Sequence, residues 1–546
     1  LYHGAQMVLK STDQGQTWEA ISPDLTRNDK SKQPSSGGPI TKDNTSVEYY
    51  DTVFAIAPSP LEKDQIWVGS DDGLVHLTRD GGKNWSNITP KELPEWGTVS
   101  LIDASTRDAG AAYMAVDAHR LDNFHPYIFK TADFGKSWTK ITNGIPDGAF
   151  VHAVREDPKQ KGLLFAGTET GIYFSFDDGA NWQPLQLNLP RAPIHDLAIH
   201  ENDLIVATHG RAFWILDDIA PLRQMAGKTI EDDVYLFHPS LAYRFRGGGG
   251  GPVPRVAAMG ANPPNGAIID YSLKALPKEP VTLEILDGTG KSIRKYKSNK
   301  EGERVEAGDD SAGARGGTSA LPTEAGLNRF VWDLRYEPPS RVPGAISWGG
   351  RPVGPIAVPG EYQVKLTVSG KSYTAPLEVK EDPRIEASQA DLEKQLDLAL
   401  KIRDRVSAGH DAVNQIRSVR AQIDALKKRL DGNEKDKAVL SAADELNKKM
   451  SAIESQIIQP KSKSNQDPLN YPIMTADQLM ALASTVESGE GTPTAASYTV
   501  FDELSKQLDD QLAKWKEIQE KDLAALNELI RKENIAAVAP AYQKPE

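Results

Sequence analysis

The sequence predicts a multidomain, mainly β chain. A β-propeller, incomplete on its N-terminal side, is expected over 1–221, a β-sandwich over 266–383 and an antiparallel helical bundle over 384–540. Three observations predict this order. A pattern Ser/Thr-x-Asp-x-Gly-x-x-Trp occurs four times, at Ser11–Trp18, Thr78–Trp85, Thr131–Trp138 and Ser175–Trp182. Around each copy run short alternating strands separated by turn residues, at a spacing of roughly 40 to 65 residues, the period of propeller blades. After Pro383 the apolar period lengthens from two to three and four, the mark of amphipathic helices.

The repeated pattern suits a tight turn between two strands. Its Asp can accept hydrogen bonds from turn amides, its Gly can take positive φ, and its Trp opens the next strand with a large apolar surface. The motif resembles the Asp box, or bacterial neuraminidase repeat, of sialidases, xyloglucanases and the sortilin ectodomain. The resemblance implies the turn between the third and fourth strands of a blade, a folding motif without a catalytic role.

Blades are expected at about 47–90, 98–142, 151–187 and 193–218, the last with its box decayed to Trp214-Ile215-Leu216-Asp217-Asp218. Residues 1–21 read as the end of an earlier blade, so the remainder of the propeller is expected on an upstream segment of the same protein. From 222 to 265 the strand pattern fails and reaches five glycines, Gly247–Gly251, which read as a linker. About seven short strands then suggest an immunoglobulin-like sandwich, interrupted by a Gly- and Ser-rich insert, Gly308–Ser319. Stripes from Leu392 to Leu430 and from Val439 to Ile457, a short helix from Thr475 and a long one over 495–534 predict an autonomous bundle, with a coiled-coil dimer as the alternative. Gly432 stands where a helix cap is expected.

Composition narrows the function. A net charge of −13 argues against nucleic acid and anionic lipid as partners, no apolar run reaches membrane-spanning length, and the lack of Cys removes disulfides and thiol chemistry. No cofactor or metal site is expected: His119 and His125 lack a third ligand. Taken whole, the chain is similar to the C-terminal half of exported bacterial Asp-box proteins of the glycosyl-hydrolase-like or sortilin-like type. That resemblance implies a periplasmic, cell-surface or extracellular protein, and covers both hydrolases and binding receptors.

Blade topology places the turns joining strands two and three opposite the boxes, around the channel mouth. Those turns are 70–73, 118–126, 168–171 and 208–211, and the long connection 22–50 could bring Glu48, Tyr49 and Tyr50 over them. The expected ligand-binding residues are His119, Arg120, Asp122, His125, His209 and Arg211, with Asp117, Asp122 and Glu169 as candidate acids or bases. One reading is a pocket for a glycan or protein ligand. Another is that Arg120 and Arg211 pair with Asp residues to brace neighbouring blades. A third is a glycoside hydrolase, inverting if two of Asp71, Asp72, Asp122 and Glu169 lie about 6.5–9.5 Å apart. Sialidase chemistry, with three arginines on a carboxylate, finds no matching motif.

Overall fold

Five antiparallel meanders make up the first 218 residues of the computed structural model. They are β1–β3 (Tyr2–Gly4, Val8–Lys10, Glu19–Ala20), β4–β7 (Val53–Pro58, Ile66–Ser70, Val75–Thr78, Ser86–Asn87) and β8–β11 (Thr98–Ala104, Ala112–Asp117, Tyr127–Thr131, Thr139–Lys140). Then follow β12–β15 (Val151–Glu156, Leu164–Thr168, Gly171–Ser175, Gln183–Pro184) and β16–β18 (Ile194–His200, Asp203–Thr208, Phe213–Leu216). The structure describes every residue except 36, 38–39, 43–48, 227–231, 246–259, 261, 299–319, 349–351, 431–436, 465, 534 and 536–546. Gly247–Gly251, Gly308–Ser319, Gly432 and Glu48 therefore lie outside the described residues. The chain divides into two units, Leu1–Asp232 and Asp233–Glu546.

In the first unit, β4, β8, β12 and β16 each open their sheet and pack side by side in chain order. The second strands β5 and β13 are buried at every position because neighbouring sheets cover both faces. Close approach needs glycine there. A Cβ on Gly69 would sit 2.2 Å from Val99 Cγ1, and one on Gly167 2.8 Å from Ile194 Cγ2.

The four repeated turns share one hydrogen-bond scheme. The Ser or Thr hydroxyl accepts the glycine N–H at 2.8–3.0 Å and donates to the Asp, whose Oδ1 accepts the N–H four residues on at 2.8–2.9 Å. These donors, with the Thr17 hydroxyl foremost, hold the Asp13 carboxyl down at about 2. The Trp reaches further. Indole N–H groups of Trp85, Trp138 and Trp182 donate to the carbonyls of Ile21, Ile88 and Ile141, each three residues past the Trp of the preceding sheet. The same isoleucines press on the box glycines: a Cβ on Gly135 would lie 2.5 Å from Ile88 Cδ1, and one on Gly179 2.4 Å from Ile141 Cδ1. The motif thus locks its own turn and also clamps one sheet to the one before.

The second unit holds two sheets around one core. One runs β19-β21-β24 (Val234–Leu236, Ala267–Leu273, Gly326–Trp332). The other runs β20-β26-β25-β22-β23 (Ala242–Arg244, Lys371–Glu381, Gly360–Val368, Thr282–Leu286, Ser292–Lys297). Trp332, Tyr271, Leu283 and Val364 lie in the shared core. The stretch 222–265, expected as a linker, instead supplies β19 and β20 and completes helix α1 (Ala220–Met225); β20 pairs in parallel with β26. Three-residue strands carry too little periodicity to be read, and pairing along an existing edge creates them.

Helices α2 (Gln389–Leu430), α3 (Lys437–Ile457), α4 (Thr475–Val486), α5 (Ala495–Glu517) and α6 (Ala524–Lys532) follow, with a π-helical stretch, Ile518–Leu523, inside the expected last helix. The apolar stripe of α2 is covered by α3, α4 and α5 of the same chain. The helices are not separate from the sheets as expected. Val342, between β24 and β25, lies in the helical core; Asn414 donates to the Arg341 carbonyl at 2.8 Å, and Arg335 pairs with Glu487 at 3.0 Å. Sheets and helices are one unit, joined by this non-periodic segment and by Arg244 of β20, which donates to Gln395 at 3.0 Å and pairs with Glu490 at 2.7 Å.

Candidate functional site

Two backbone features build one end of the first unit. Each of β4, β8, β12 and β16 carries a bulge near its start, with the ladder skipping Phe54, Ser100, His152 and His195. A bulge re-aims its side chain and strengthens the local twist. The second feature is the turn after each second strand. Asp71, Glu169 and His209 lead those turns, and their N–H groups bond the Thr52, Phe150 and Pro193 carbonyls at 2.8–3.0 Å, drawing the turn onto the start of the opening strand. Antiparallel pairing puts these turns at the end opposite the repeated motif.

Imidazoles line up there across three sheets. The rings of His152 and His195 lie 4.5 Å apart, and those of His195 and His209 4.8 Å apart. Phe150 edges against His152 at 5.1 Å and stacks on His119 at 5.0 Å. Carboxylates hold one end of the row. His119 bonds Asp117 through Nδ1 at 2.7 Å, while His152 lies 3.6 Å from the other Asp117 oxygen and 3.1 Å from Glu169. The other end is open: among the described residues His195 and His209 make ring contacts but no side-chain hydrogen bond. Partial burial, and after it the neighbouring histidines, pull His195 below the ordinary imidazole range.

The expected residues divide. His119, Asp117, Glu169 and His209 join this row, and Arg211 lies two residues beyond His209 in the same turn. Arg120 approaches Tyr50, whose hydroxyl also feels Asp71 and Asp117. Asp122 instead closes a short 3-10 turn with φ of 59°, exposed, and His125 pairs with Asp147 at 2.7 Å on the surface. Neither bonds to the row.

The expected braces are corrected. Arg120 and Arg211 are exposed and form no ion pair among the described residues. Arg155 braces instead: it reaches Asp103 at 3.1 Å, Asp196 at 3.0 Å and the Leu197 carbonyl at 2.8 Å, tying three sheets. His152 and His195 were not among the expected site residues. Their signal was present: aligning the opening strands puts both at the position that Phe54 and Ser100 occupy, directly after an apolar residue.

A second polar group lies beside the row. Asp72 accepts the Arg27 N–H at 2.6 Å and the Ser70 hydroxyl, and Asp71 accepts the Thr52 N–H at 2.8 Å. Asp51 is 5% exposed and one of its oxygens has no partner. Burial first, and the neighbouring carboxylates after it, push Asp71 up to about 6. A carboxyl raised in the fold contributes stability below its unfolded value that is lost as pH rises through its folded one. Asp71→Asn therefore has little effect at pH 4 and stabilises the first unit by about 1–2 kcal/mol at pH 7.5, after allowance for solvent screening. Calorimetry at the two pH values checks this; an equal effect at both refutes it. Among the described residues no group of three or more His, Asp or Glu is placed to hold a metal.

No family model and no curated protein matches the chain. Solved structures give partial likenesses. A YCF48 protein bound to a D1 peptide is 19% identical, with a TM-score of 0.26 over 39% of this chain and 58% of its own. An ancestral GH74 enzyme is 16% identical, with a TM-score of 0.29 over 54% and 36%. The GH74 xyloglucanase of Xanthomonas campestris is 14% identical, with a TM-score of 0.25 over 60% and 45%. The chain thus spans less than two thirds of each. These neighbours include a peptide-binding protein and glycoside hydrolases alike, and at this level of likeness neither activity transfers.

Proposed function

We propose that the first unit is part of a β-propeller whose mouth binds a carboxylate-bearing ligand, an acidic segment of a protein or an acidic glycan. The observation that carries this is which groups have hydrogen-bonding capacity left. Asp117, Glu169, Asp71 and Asp72 are engaged by neighbouring donors. Among the described residues His195, His209, Arg120 and Arg211 form no hydrogen bond or ion pair through their side chains, and they are neutral or cationic donors. Such groups complement carboxylates, and a proton taken up by His195 strengthens the match.

The hydrolase reading has less support. Asp117 and Glu169 flank a single ring, His152, which stands where an inverting mechanism needs sugar and water. Further blades of the same protein are proposed to cover two open faces. Trp18 is 43% exposed without the isoleucine carbonyl that each later Trp bonds, and Phe213 and Ile215 are 77% and 57% exposed on β18. Export from the cell is the setting that the Asp-box resemblance suggests, and no helix among the described residues is long and apolar enough to cross a membrane. The immunoglobulin-like reading of the two sheets in the second unit rests on their shared core.

Poly-glutamate and polygalacturonate, assayed side by side, test the binding. One of them should bind, more tightly at pH 5.5 than at 7.5, with His195→Ala and His209→Ala each weakening it about tenfold, the scale of one lost charged hydrogen bond. Binding of neutral glycans with release of reducing sugar would favour the hydrolase. Absence of binding to both polyanions removes the proposal.

A further inference from the structure

Two classes of acidic ligand fit the imidazole row alone, and the turn beside it separates them. In that turn Leu121 and Phe124 are 40% and 47% exposed. Phe124 continues the row. Its ring lies 6.0 Å from Phe150, Phe150 edges on His152 at 5.1 Å, and His152 lies 4.5 Å from His195. This exposure is not that of a sheet lacking a neighbour, since β8, which opens the same sheet, packs between β4 and β12. The surface is also open at both ends. Among the described residues, a Cβ on Gly148, whose N–H donates to the Phe124 carbonyl at 3.1 Å, or on Gly210, beside His209, would meet nothing within 4 Å.

The two ends of this line differ in chemistry. His195 and His209 offer ring nitrogens at one end. At the other, the polar side chains are already bonded: His119 to Asp117 at 2.7 Å, Asn123 to Tyr127 at 3.0 Å and His125 to Asp147 at 2.7 Å. Asp122, exposed between Leu121 and Phe124, adds negative charge there. A polyuronate, with a carboxylate on every sugar, is repelled at that end, and its hydroxyls lose water against Leu121 and Phe124 for little return. An apolar side chain gains from the same contact. The three ring spacings between Phe124 and His195 are covered by an extended polypeptide in about five residues, at ~3.3 Å each.

We infer that the ligand of this mouth is an acidic segment of a protein rather than a glycan, setting a carboxylate on His195 and His209 and an aromatic or branched apolar side chain, about five residues away, against Phe124 and Leu121. This rests on the reading of the mouth given above and names its partner. Charge then fixes one end of the segment and apolar burial the other, so neither a uniformly acidic nor a uniformly apolar chain matches the whole line.

Binding of poly-glutamate, a random copolymer of glutamate and tyrosine, and polygalacturonate to the chain 1–546 at pH 5.5 tests this. The copolymer should bind about tenfold tighter than poly-glutamate, the scale of burying part of one aromatic ring. Phe124→Ser should bring that ratio close to one, and Leu121→Ser, at a second exposed position, should lower it in the same direction with Tm unchanged. Leu276→Ser, 61% exposed in the second unit, should leave the ratio as it is, which separates this contact from general adhesion. A copolymer no tighter than poly-glutamate, a ratio that survives both Phe124→Ser and Leu121→Ser, or polygalacturonate binding as tightly as the copolymer overturns this inference while the mouth remains a site for acidic ligands. Failure of all three polymers to bind overturns both.

Discussion

Trp182→Ala should destabilise the first unit by about 3–5 kcal/mol, the range for truncating a buried aromatic. Trp182 is 4% exposed, packs with Ile145, Val154 and Leu164, and donates from Nε1 to the Ile141 carbonyl at 2.7 Å. Truncation opens a cavity between two sheets and strands that carbonyl. Trp18→Ala makes the control. Its ring is 43% exposed, so the same change there should cost no more than about 1 kcal/mol. Calorimetry of variants of the chain 1–546, following the transition that Trp182 lowers, gives both numbers. A Trp18 variant as unstable as the Trp182 variant would refute the account of the motif as a clamp between consecutive sheets. Ligand affinity per folded molecule should be unchanged in both, because the motif lies at the sheet end opposite the imidazole row.

Arg155→Ala is the second large effect. Arg155 is half-buried, and its removal leaves Asp103, on β8, without its cation; burial already pushes that carboxyl up against the opposing pull of the guanidinium. Asp196 and the Leu197 carbonyl on β16 lose their donor as well. Breaking a buried pair costs about 3–5 kcal/mol, and partial exposure here lowers the expectation to about 2–3 kcal/mol. Arg120→Ala, by contrast, breaks no ion pair among the described residues and should stay within about 0.5 kcal/mol of the parent. Melting both variants separates a brace from a binding group before any ligand is known. A loss at Arg120 as large as that at Arg155 would withdraw Arg120 from the proposed mouth. Arg155→Lys should recover little, since one ammonium cannot reach both carboxylates and the carbonyl as the guanidinium fork does.

The sequence by itself determined the repeated turns, since every hydrogen bond that closes them falls within four residues: hydroxyl to glycine N–H, carboxylate to the N–H four residues on. It determined the meander of each sheet for the same reason, and the long apolar stripe of α2. What the indole binds was not legible. Its acceptor lies 64, 50 or 41 residues earlier in the chain, on a residue that reads as an ordinary isoleucine. The site was half legible. His119, Glu169 and His209 sit in turns that strand counting could place, and Asp117 ends the strand before one of them. His152 and His195 sit inside strands, where alternation assigns a face only while the ladder is regular, and a bulge breaks that assignment. Only tertiary structure decided that Arg155 rather than Arg120 braces the sheets, because both are arginines beside strands and only the packing shows which one has carboxylates from two neighbouring sheets within reach. It likewise decided that the helices belong with the sheets of the second unit, through Arg244 of β20 and a segment around Val342 too short and too irregular to carry any periodicity of its own.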